Sequence, residues 1–155
     1  MTRRECLAWL ARAAAAGMAL AHTGRCAFAE DAGVPKGGGS VKIADLSSVK
    51  NARASEIEKP NLILSRTNDG VACMSITCTH RRNKLNVDTD GSIVCPVHNS
   101  TFDLTGKPTG GPATSSLTWY KTEINEDGAI SVDTGRTVEQ GKWAELPSWA
   151  KPKKR

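Results

Sequence analysis

Two cysteine–histidine pairs lie close together in the segment CTHRRNKLNVDTDGSIVCPVHNSTFD, residues 78–103. The pairs are Cys78 with His80 and Cys95 with His98, so two of the three histidines of the chain lie here. Each short loop can therefore present one thiolate and one imidazole to the same point in space. This donor set favours zinc or iron–sulfur chemistry, whereas magnesium and calcium prefer oxygen ligands.

Three kinds of site are compatible with these four side chains. A structural zinc site usually takes its ligands as pairs of cysteines or pairs of histidines, so mixed pairs are unusual for it. A cysteine–histidine nucleophile would explain one pair, but not two symmetrically placed pairs without a carboxylate or amide partner. In a Rieske-type [2Fe-2S] cluster two cysteines bind one iron and two histidines bind the other, and the spacing suits that division. Cys73, in the strand-like run VACMSI, is predicted to be a small buried apolar residue.

The chain resembles the Rieske [2Fe-2S] proteins over roughly residues 41–133. The resemblance rests on CTH at 78–80, on CPVHNSTFD at 95–103, on Gly106, and on the tripeptide Gly111-Pro112-Ala113. This tripeptide is similar to the proline loop that covers the cluster in Rieske subunits of cytochrome bc complexes and of related periplasmic oxidoreductases. The resemblance implies an antiparallel β-sandwich base with a small cluster-binding subdomain, at about residues 72–113.

The resemblance also implies the cofactor and its ligands. It implies one Rieske-type [2Fe-2S] cluster per chain, with Cys78 and Cys95 on the buried iron and His80 and His98 on the outer iron. Ser100 occupies the position of a serine that donates a hydrogen bond to sulfur in the family. Together with Gly111 and Pro112 of the proline loop, Ser100 is therefore expected to contact the cofactor.

Other positions depart from the pattern of the bc subunits. These subunits carry a second cysteine in each loop, joined in a disulfide, at the positions that Asn83 and Val97 hold here. The disulfide therefore cannot form in this chain. A tyrosine that donates a hydrogen bond near the cluster in those subunits is replaced by Phe102.

Two classes of function remain for such a protein. Rieske oxygenases need a second, mononuclear iron with two histidine ligands, and outside the two loops only His22 remains, which is too few to build one. The first class is a periplasmic one-electron carrier, or a small subunit of a periplasmic oxidoreductase such as arsenite oxidase, with an oxidoreductase large subunit or a cytochrome as its partner. The alternative is the Rieske subunit of a quinol-oxidising cytochrome bc complex.

The pair Arg81-Arg82 favours the first class. It places two guanidinium groups where bc subunits usually have an apolar residue and a glycine, next to the first ligand histidine. A role in docking a redox partner is one interpretation, and side chains that only contact water are the other.

The first thirty residues, MTRRECLAWLARAAAAGMALAHTGRCAFAE, are typical of an export signal. The pair Arg3-Arg4 precedes an alanine-rich segment, and Ala27-Phe28-Ala29 supplies the small residues that a signal peptidase reads. The longest uninterrupted apolar run, Ala13 to Ala21, is short of the roughly 20 residues that span a membrane. We therefore expect a twin-arginine signal peptide at residues 1–29, export of the folded protein to the periplasm, and membrane contact at most through an uncleaved N-terminus.

The remainder of the chain has an all-β pattern. After a flexible linker at residues 30–40, the runs VKIADL, NLILSR, VACMSI, GSIVC, LTWYKTEI and AISVD are predicted strands, and DLSSVKNARASEIEK is predicted to be a loop with a helical turn. Residues 134–155 form a predicted C-terminal arm with a basic tail, whose Trp143 and Trp149 are expected to pack on the base. Residues 30–150 hold 13 basic and 15 acidic side chains, net −2. No basic and aromatic residues alternate as on a nucleic-acid surface, so nucleic acid is not an expected partner.

Overall fold

The computed structural model describes residues 39–151. The predicted signal peptide, most of the predicted linker and the end of the basic tail lie outside the described residues. Within this range two 3-10 helices, at Leu46–Ser48 and Ser148–Ala150, accompany ten strands. The strands are β1 (Ser40–Asp45), β2 (Arg53–Ile57), β3 (Leu62–Arg66), β4 (Val71–Ser75), β5 (Asn86–Val87), β6 (Ile93–Val94), β7 (Thr101–Phe102), β8 (Pro108–Gly110), β9 (Trp119–Ile124) and β10 (Ala129–Val138).

The strands form two antiparallel sheets, which confirms the predicted all-β class. The base sheet has six strands in the order β1-β10-β9-β4-β3-β2, and the small sheet has four in the order β5-β6-β7-β8. The chain leaves the base after β4, forms the small sheet, and returns in β9, which pairs directly with β4 through Cys73↔Tyr120 and Met74↔Trp119. Both ends of the inserted segment are therefore held side by side at the centre of the base sheet.

Strand β4 separates two hydrophobic cores. Its side chains alternate between the faces of the sheet, as strand geometry requires, so that Ala72 and Met74 join the core on the side of the small sheet. Val71 and Cys73 join the core on the opposite face. Cys73 is fully buried there, as the sequence predicts. Burial raises the pKa of the Cys73 thiol to about 12, and a hydrogen bond with Thr122 opposes this rise only in part.

The turn between β7 and β8 is attached to the base by three side chains. The Ser65 hydroxyl donates to the carbonyl oxygen of Leu104 at 2.6 Å. The carbonyl oxygen of Thr105 accepts hydrogen bonds from the Trp119 indole at 2.9 Å and from the Gln140 amide at 3.0 Å. The small sheet is therefore held on the base by bonds from β3, from β9 and from the segment after β10.

The segment after β10 contacts the base, although Trp149 remains 60% exposed. The rings of Trp143 and Trp119 meet edge to face, with centroids 4.9 Å apart. Ala144 exchanges two backbone hydrogen bonds with Val71, at 3.1 and 2.8 Å. The Trp149 indole donates to the carbonyl oxygen of Glu126 at 3.0 Å. No helix within residues 39–151 is long and apolar enough to cross a membrane.

One expectation about the base was wrong. The sequence predicts a loop for the polar run RASEI, residues 53–57, but this run forms strand β2, which pairs with β3 along its whole length. Only Ala54 of this strand is buried. Because β2 is an edge strand of the base sheet, its other side chains remain accessible. Its sequence therefore lacks the alternation of apolar and polar residues that marks a half-buried strand. The expected helical turn is present at Leu46–Ser48.

Candidate metal centre

A first loop, residues 78–83, begins just after β4. The backbone N–H of Cys78 donates to the carbonyl oxygen of Asn83 at 2.8 Å, and the N–H of Arg82 donates to the carbonyl oxygen of Cys78 at 2.9 Å. Arg82 adopts a left-handed conformation with φ 57°. These bonds close a tight turn in which the side chain of Cys78 is buried and the residues that follow it face outward.

A second loop, residues 95–100, repeats this geometry directly after β6. The N–H of Cys95 donates to the carbonyl oxygen of Ser100 at 2.8 Å, and the N–H of Asn99 donates back to the carbonyl oxygen of Cys95 at 2.9 Å. Asn99 has φ 55°, and asparagine is one of the few side chains that tolerate this region well. The loops therefore share one backbone fold, and they differ in that the histidine is the third residue of the first loop and the fourth of the second.

The four predicted ligand side chains come together where the two loops meet. Cys78 and Cys95 are each 1% exposed and belong to the core beneath the small sheet. His80 and His98 are half-buried, and their rings meet edge to face with centroids 4.8 Å apart. The thiols therefore lie on the core side of the site and the imidazoles on the solvent side.

The imidazoles provide a direct test of whether a metal group fits this site. Nδ1 of His80 and Nδ1 of His98 are buried and have no hydrogen-bond partner. A buried polar atom without a partner costs about 1–3 kcal/mol, so two such atoms in neighbouring rings indicate that something outside the polypeptide satisfies them. The lone pair of a neutral imidazole nitrogen is a common metal ligand. The residues present therefore fit a group that is held through both Nδ1 atoms.

The surroundings of Cys95 fit the same group. Burial acts to raise the pKa of this thiol, but hydrogen bonds from the backbone N–H groups of Val97 and His98 and from the Cys78 side chain outweigh it, so the pKa lies below its usual value. A lower pKa favours the thiolate, which is the form that binds metals. Backbone donors of the second loop therefore stabilise negative charge on the sulfur.

The four side chains form two pairs rather than one tetrahedral set. Within residues 39–151, no three side chains of the His, Cys, Asp and Glu types surround a point where a single metal ion could bind. A binuclear Rieske cluster takes only two protein ligands on each iron. The arrangement of a buried thiol pair and an outer imidazole pair is compatible with such a cluster.

The predicted proline loop lies against the second loop. Gly111 has φ +75°, and a Cβ atom at this position would be 2.6 Å from the carbonyl oxygen of Asn99 and 2.6 Å from Cα of Ser100. The backbone N–H of Ala113 donates to the Ser100 hydroxyl at 3.2 Å, and Ser100 is fully buried. Pro112, between these two contacts, is exposed. Only glycine at position 111 allows this close approach of the two backbones.

The exposed tip of the site carries positive charge and some apolar surface. Arg81 and Arg82 are exposed beside His80, and Val97 is 54% exposed beside His98. No aspartate or glutamate occurs in residues 78–83, 95–100 or 111–115. The surface around the two histidines is therefore basic on the side of the first loop and apolar on the side of the second.

One contact of the site could not be predicted from the sequence. The hydroxyl of Thr79, between Cys78 and His80, donates to the carbonyl oxygen of Ser115 at 2.7 Å. Thirty-six residues separate the partners, and the acceptor is a backbone atom, so no motif marks the pair. This bond connects the first loop to the segment that also covers the second.

Comparison with solved structures finds similar proteins, of which one with a TM-score above 0.5 shows the fold. The chain is similar to the crystal structure of the cyanobacterial plasma membrane Rieske protein PetC3 from Synechocystis PCC 6803, with 25% identity, TM-score 0.49, and coverage of 61% of this chain and 99% of that one. It is also similar to a structure of reduced oxygenase with oxidised ferredoxin in carbazole 1,9a-dioxygenase, with 23% identity, TM-score 0.51, and coverage of 66% and 99%. A third is the ferredoxin of carbazole 1,9a-dioxygenase from Nocardioides aromaticivorans IC177, with 25% identity, TM-score 0.45, and coverage of 61% and 96%.

Comparison at the level of sequence gives the family. No curated protein sequence matches the chain. The family model of the Rieske [2Fe-2S] domain matches residues 40–121, which is more than half of the chain and includes both loops and the proline loop. The expected family, fold and cofactor are thereby confirmed. The chain belongs to the Rieske [2Fe-2S] domain family, and it contains an electron-transfer domain that takes a Rieske-type [2Fe-2S] cluster.

Proposed function

We propose that this protein is a periplasmic one-electron carrier, either soluble or as the small subunit of a periplasmic oxidoreductase. The observation that carries the proposal is the position of the two histidines, which bury Nδ1 and leave part of each ring exposed at the tip. The pair Arg3-Arg4 and the alanine-rich segment after it support export. The proposed ligands are Cys78 and Cys95 on one iron and His80 and His98 on the other.

The proposed electron exit is the surface formed by the two imidazoles. A bound Rieske cluster accepts and releases a single electron. The chain buries the two thiols in its core and presents the imidazole edges to solvent, so a partner reaches the site from the histidine side. The bonds from Ser65, Trp119 and Gln140 hold the small sheet on the base, and the exit surface therefore needs no rearrangement to be presented.

The proposed partner is a protein, either an oxidoreductase large subunit or a cytochrome. The structure of a carbazole dioxygenase ferredoxin together with its oxygenase supports a protein partner for a domain of this fold.

The proposed periplasmic location is tested by cell fractionation. Retention of this protein in spheroplasts, rather than its release with the periplasmic fraction, would contradict the location. Replacement of Arg3 and Arg4 by lysine should prevent export.

The alternative is the Rieske subunit of a quinol-oxidising cytochrome bc complex. An apolar tip around the first histidine is expected for docking of quinol, but Arg81 and Arg82 are exposed there. Val97 and Pro112 supply exposed apolar surface only on the other side of the tip. The basic tip therefore favours the carrier.

Arg81 and Arg82 are predicted to attract negatively charged reactants to the exit. Oxidation of the reduced protein by ferricyanide, an anion, should slow as salt is added, whereas oxidation by the tris(phenanthroline)cobalt(III) cation should accelerate. Such steering changes rates by about 10-fold or more at low salt and is screened beyond about 8 Å at physiological ionic strength. The double variant Arg81→Leu, Arg82→Gly should weaken both salt dependences in stopped-flow measurements, with an unchanged visible spectrum.

The control for this experiment removes two charges from the base instead. Lys50 and Lys142 are both exposed and lie outside the loops, and the double variant Lys50→Leu, Lys142→Leu lowers the net charge by the same amount. It should behave like the unchanged protein. Glycine at position 82 suits the left-handed φ of 57°, so the first loop should keep its shape. Equal salt dependence in both double variants would show that the two arginines do not attract reactants to the exit. Gain of quinol reactivity in the Arg81→Leu, Arg82→Gly variant would favour the bc alternative.

Ser100 and position 102 are predicted to set the redox potential. The Ser100 oxygen accepts the N–H of Ala113, so its own O–H is available to donate toward sulfur. Sulfur-directed hydrogen bonds stabilise the more negative reduced state, and 1 kcal/mol of difference corresponds to roughly 40 mV for one electron. Ser100→Ala should lower the midpoint potential and Phe102→Tyr should raise it, each by roughly that amount. A titration in which Phe102→Tyr leaves the potential unchanged would contradict the hydrogen-bond explanation.

A further inference from the structure

No covalent bond within the described part of the chain joins the two loops of the site. Cys73, Cys78 and Cys95 are free cysteines. The positions of a second cysteine in each loop hold Asn83 and Val97 instead. Before a cluster is bound, only noncovalent contacts can hold the first loop beside the second.

Residues 111–115 contact the second loop at one end. Gly111 lies against the backbone of Asn99 and Ser100, at a distance that excludes any side chain. Two residues later, the N–H of Ala113 donates to the buried Ser100 hydroxyl at 3.2 Å. Ala113 is itself only 6% exposed and packs in the core that contains both cysteine ligands. This end is therefore held by packing and by a buried hydrogen bond.

The same residues contact the first loop at the other end. The Thr79 hydroxyl donates to the carbonyl oxygen of Ser115 at 2.7 Å. Thr79 directly follows Cys78 and directly precedes His80, so its position bears on both ligands of the first loop. Thr79 itself is exposed.

We propose that residues 111–115 are a noncovalent strap that holds the two loops together in place of a disulfide, and that Thr79 is the positioning residue that fastens the first loop to it. The strap closes without oxidation of any thiol, so the site can be completed in a reducing compartment. The inference concerns retention of the cluster and goes beyond the proposed carrier function, since it depends neither on export nor on a particular partner.

Thr79→Val is the variant that tests the strap, because valine keeps the shape of threonine and removes the hydroxyl. The purified holoprotein should lose its visible absorbance in the presence of an iron chelator about 2- to 10-fold faster than the unchanged protein, as expected for loss of one hydrogen bond. Thr79→Ser keeps the hydroxyl and should restore slow loss. The midpoint potential of Thr79→Val should be unchanged, because the hydroxyl donates to a carbonyl oxygen and not to sulfur.

Two further variants serve as matched controls. Thr114→Val makes the same substitution inside the strap, at an exposed side chain without a described hydrogen bond, and should lose absorbance at the normal rate. Ser115→Ala should also be normal, because the acceptor is the backbone carbonyl oxygen of this residue. Complete failure of Thr79→Val to retain a cluster, with Thr79→Ser normal, would be the extreme form of the expected result.

Two outcomes would overturn the proposal. One is equal loss of absorbance by Thr79→Val and Thr114→Val, and the other is equally fast loss by Thr79→Ser and Thr79→Val. Because purified protein and a chelator are sufficient, these results are separate from any result on export or on the tip arginines.

Discussion

Replacement of either His80 or His98 by alanine is expected to reduce the iron and acid-labile sulfide of the purified protein from two of each per chain to nearly none. Each imidazole holds a buried Nδ1 without a protein partner, and the two rings stand 4.8 Å apart. Under the proposed ligand assignment, removal of one ring leaves the outer iron with a single protein ligand. Colorimetric iron and sulfide assays and the visible spectrum measure the loss directly.

Cys73→Ser is the control for the ligand substitutions. Cys73 is as deeply buried as the proposed ligands Cys78 and Cys95, but it lies in the other hydrophobic core, on the far face of β4. Its substitution should cost stability, by about 1–3 kcal/mol for a buried hydroxyl, and should leave iron and sulfide at their normal content.

The unchanged protein, once reduced, should show the low average g value in electron paramagnetic resonance that two imidazole ligands produce. Stoichiometric zinc without sulfide would contradict the Rieske cluster.

Gly111→Ala is expected to have the second large effect. The new Cβ would lie 2.6 Å from the carbonyl oxygen of Asn99 and from Cα of Ser100, and the backbone at φ +75° is unfavourable for alanine. Both contacts are with backbone atoms, which cannot relieve the clash by rotation as a side chain can. Overpacking and the left-handed conformation together should cost about 2–4 kcal/mol, with a lower melting temperature and rapid loss of the cluster.

Gly141→Ala separates these two causes. Gly141 also has a left-handed conformation, with φ +92°, but no atom lies within 4 Å of a Cβ built there. Its substitution should therefore cost only the conformational part, about 1 kcal/mol, and should leave the cluster in place. Thermal unfolding of the two variants, followed by circular dichroism and by visible absorbance, makes the comparison. Equal effects of the two substitutions would show that the close approach of Gly111 to the second loop is unimportant.

Each of the six runs predicted from sequence to be a strand overlaps a strand of the structure, because each is rich in apolar or β-branched residues. The predicted run VACMSI corresponds to β4, which is buried along its length, and NLILSR corresponds to β3. Strands β5, β7 and β8 have two or three residues each and were not predicted, because so short a segment shows no alternation. Their pairing depends on neighbours that the fold brings beside them.

The proposed chemistry of the site could be predicted from sequence alone, because both proposed ligands of each loop lie within a single tight turn. Cys78 and His80, like Cys95 and His98, are close in space as a result of local backbone geometry, whatever the remainder of the chain does. Residue types and spacing were therefore sufficient to predict the cluster and its family.

The closure of the site was decided only by tertiary structure. The bond from Thr79 to Ser115 and the contact of Gly111 with Asn99 join segments that lie apart along the chain. Both depend on the path of the chain through β7 and β8, and the partners are backbone atoms, which every residue possesses. Such contacts have no residue signature, because the fold selects the backbone atom by position and not by side-chain type.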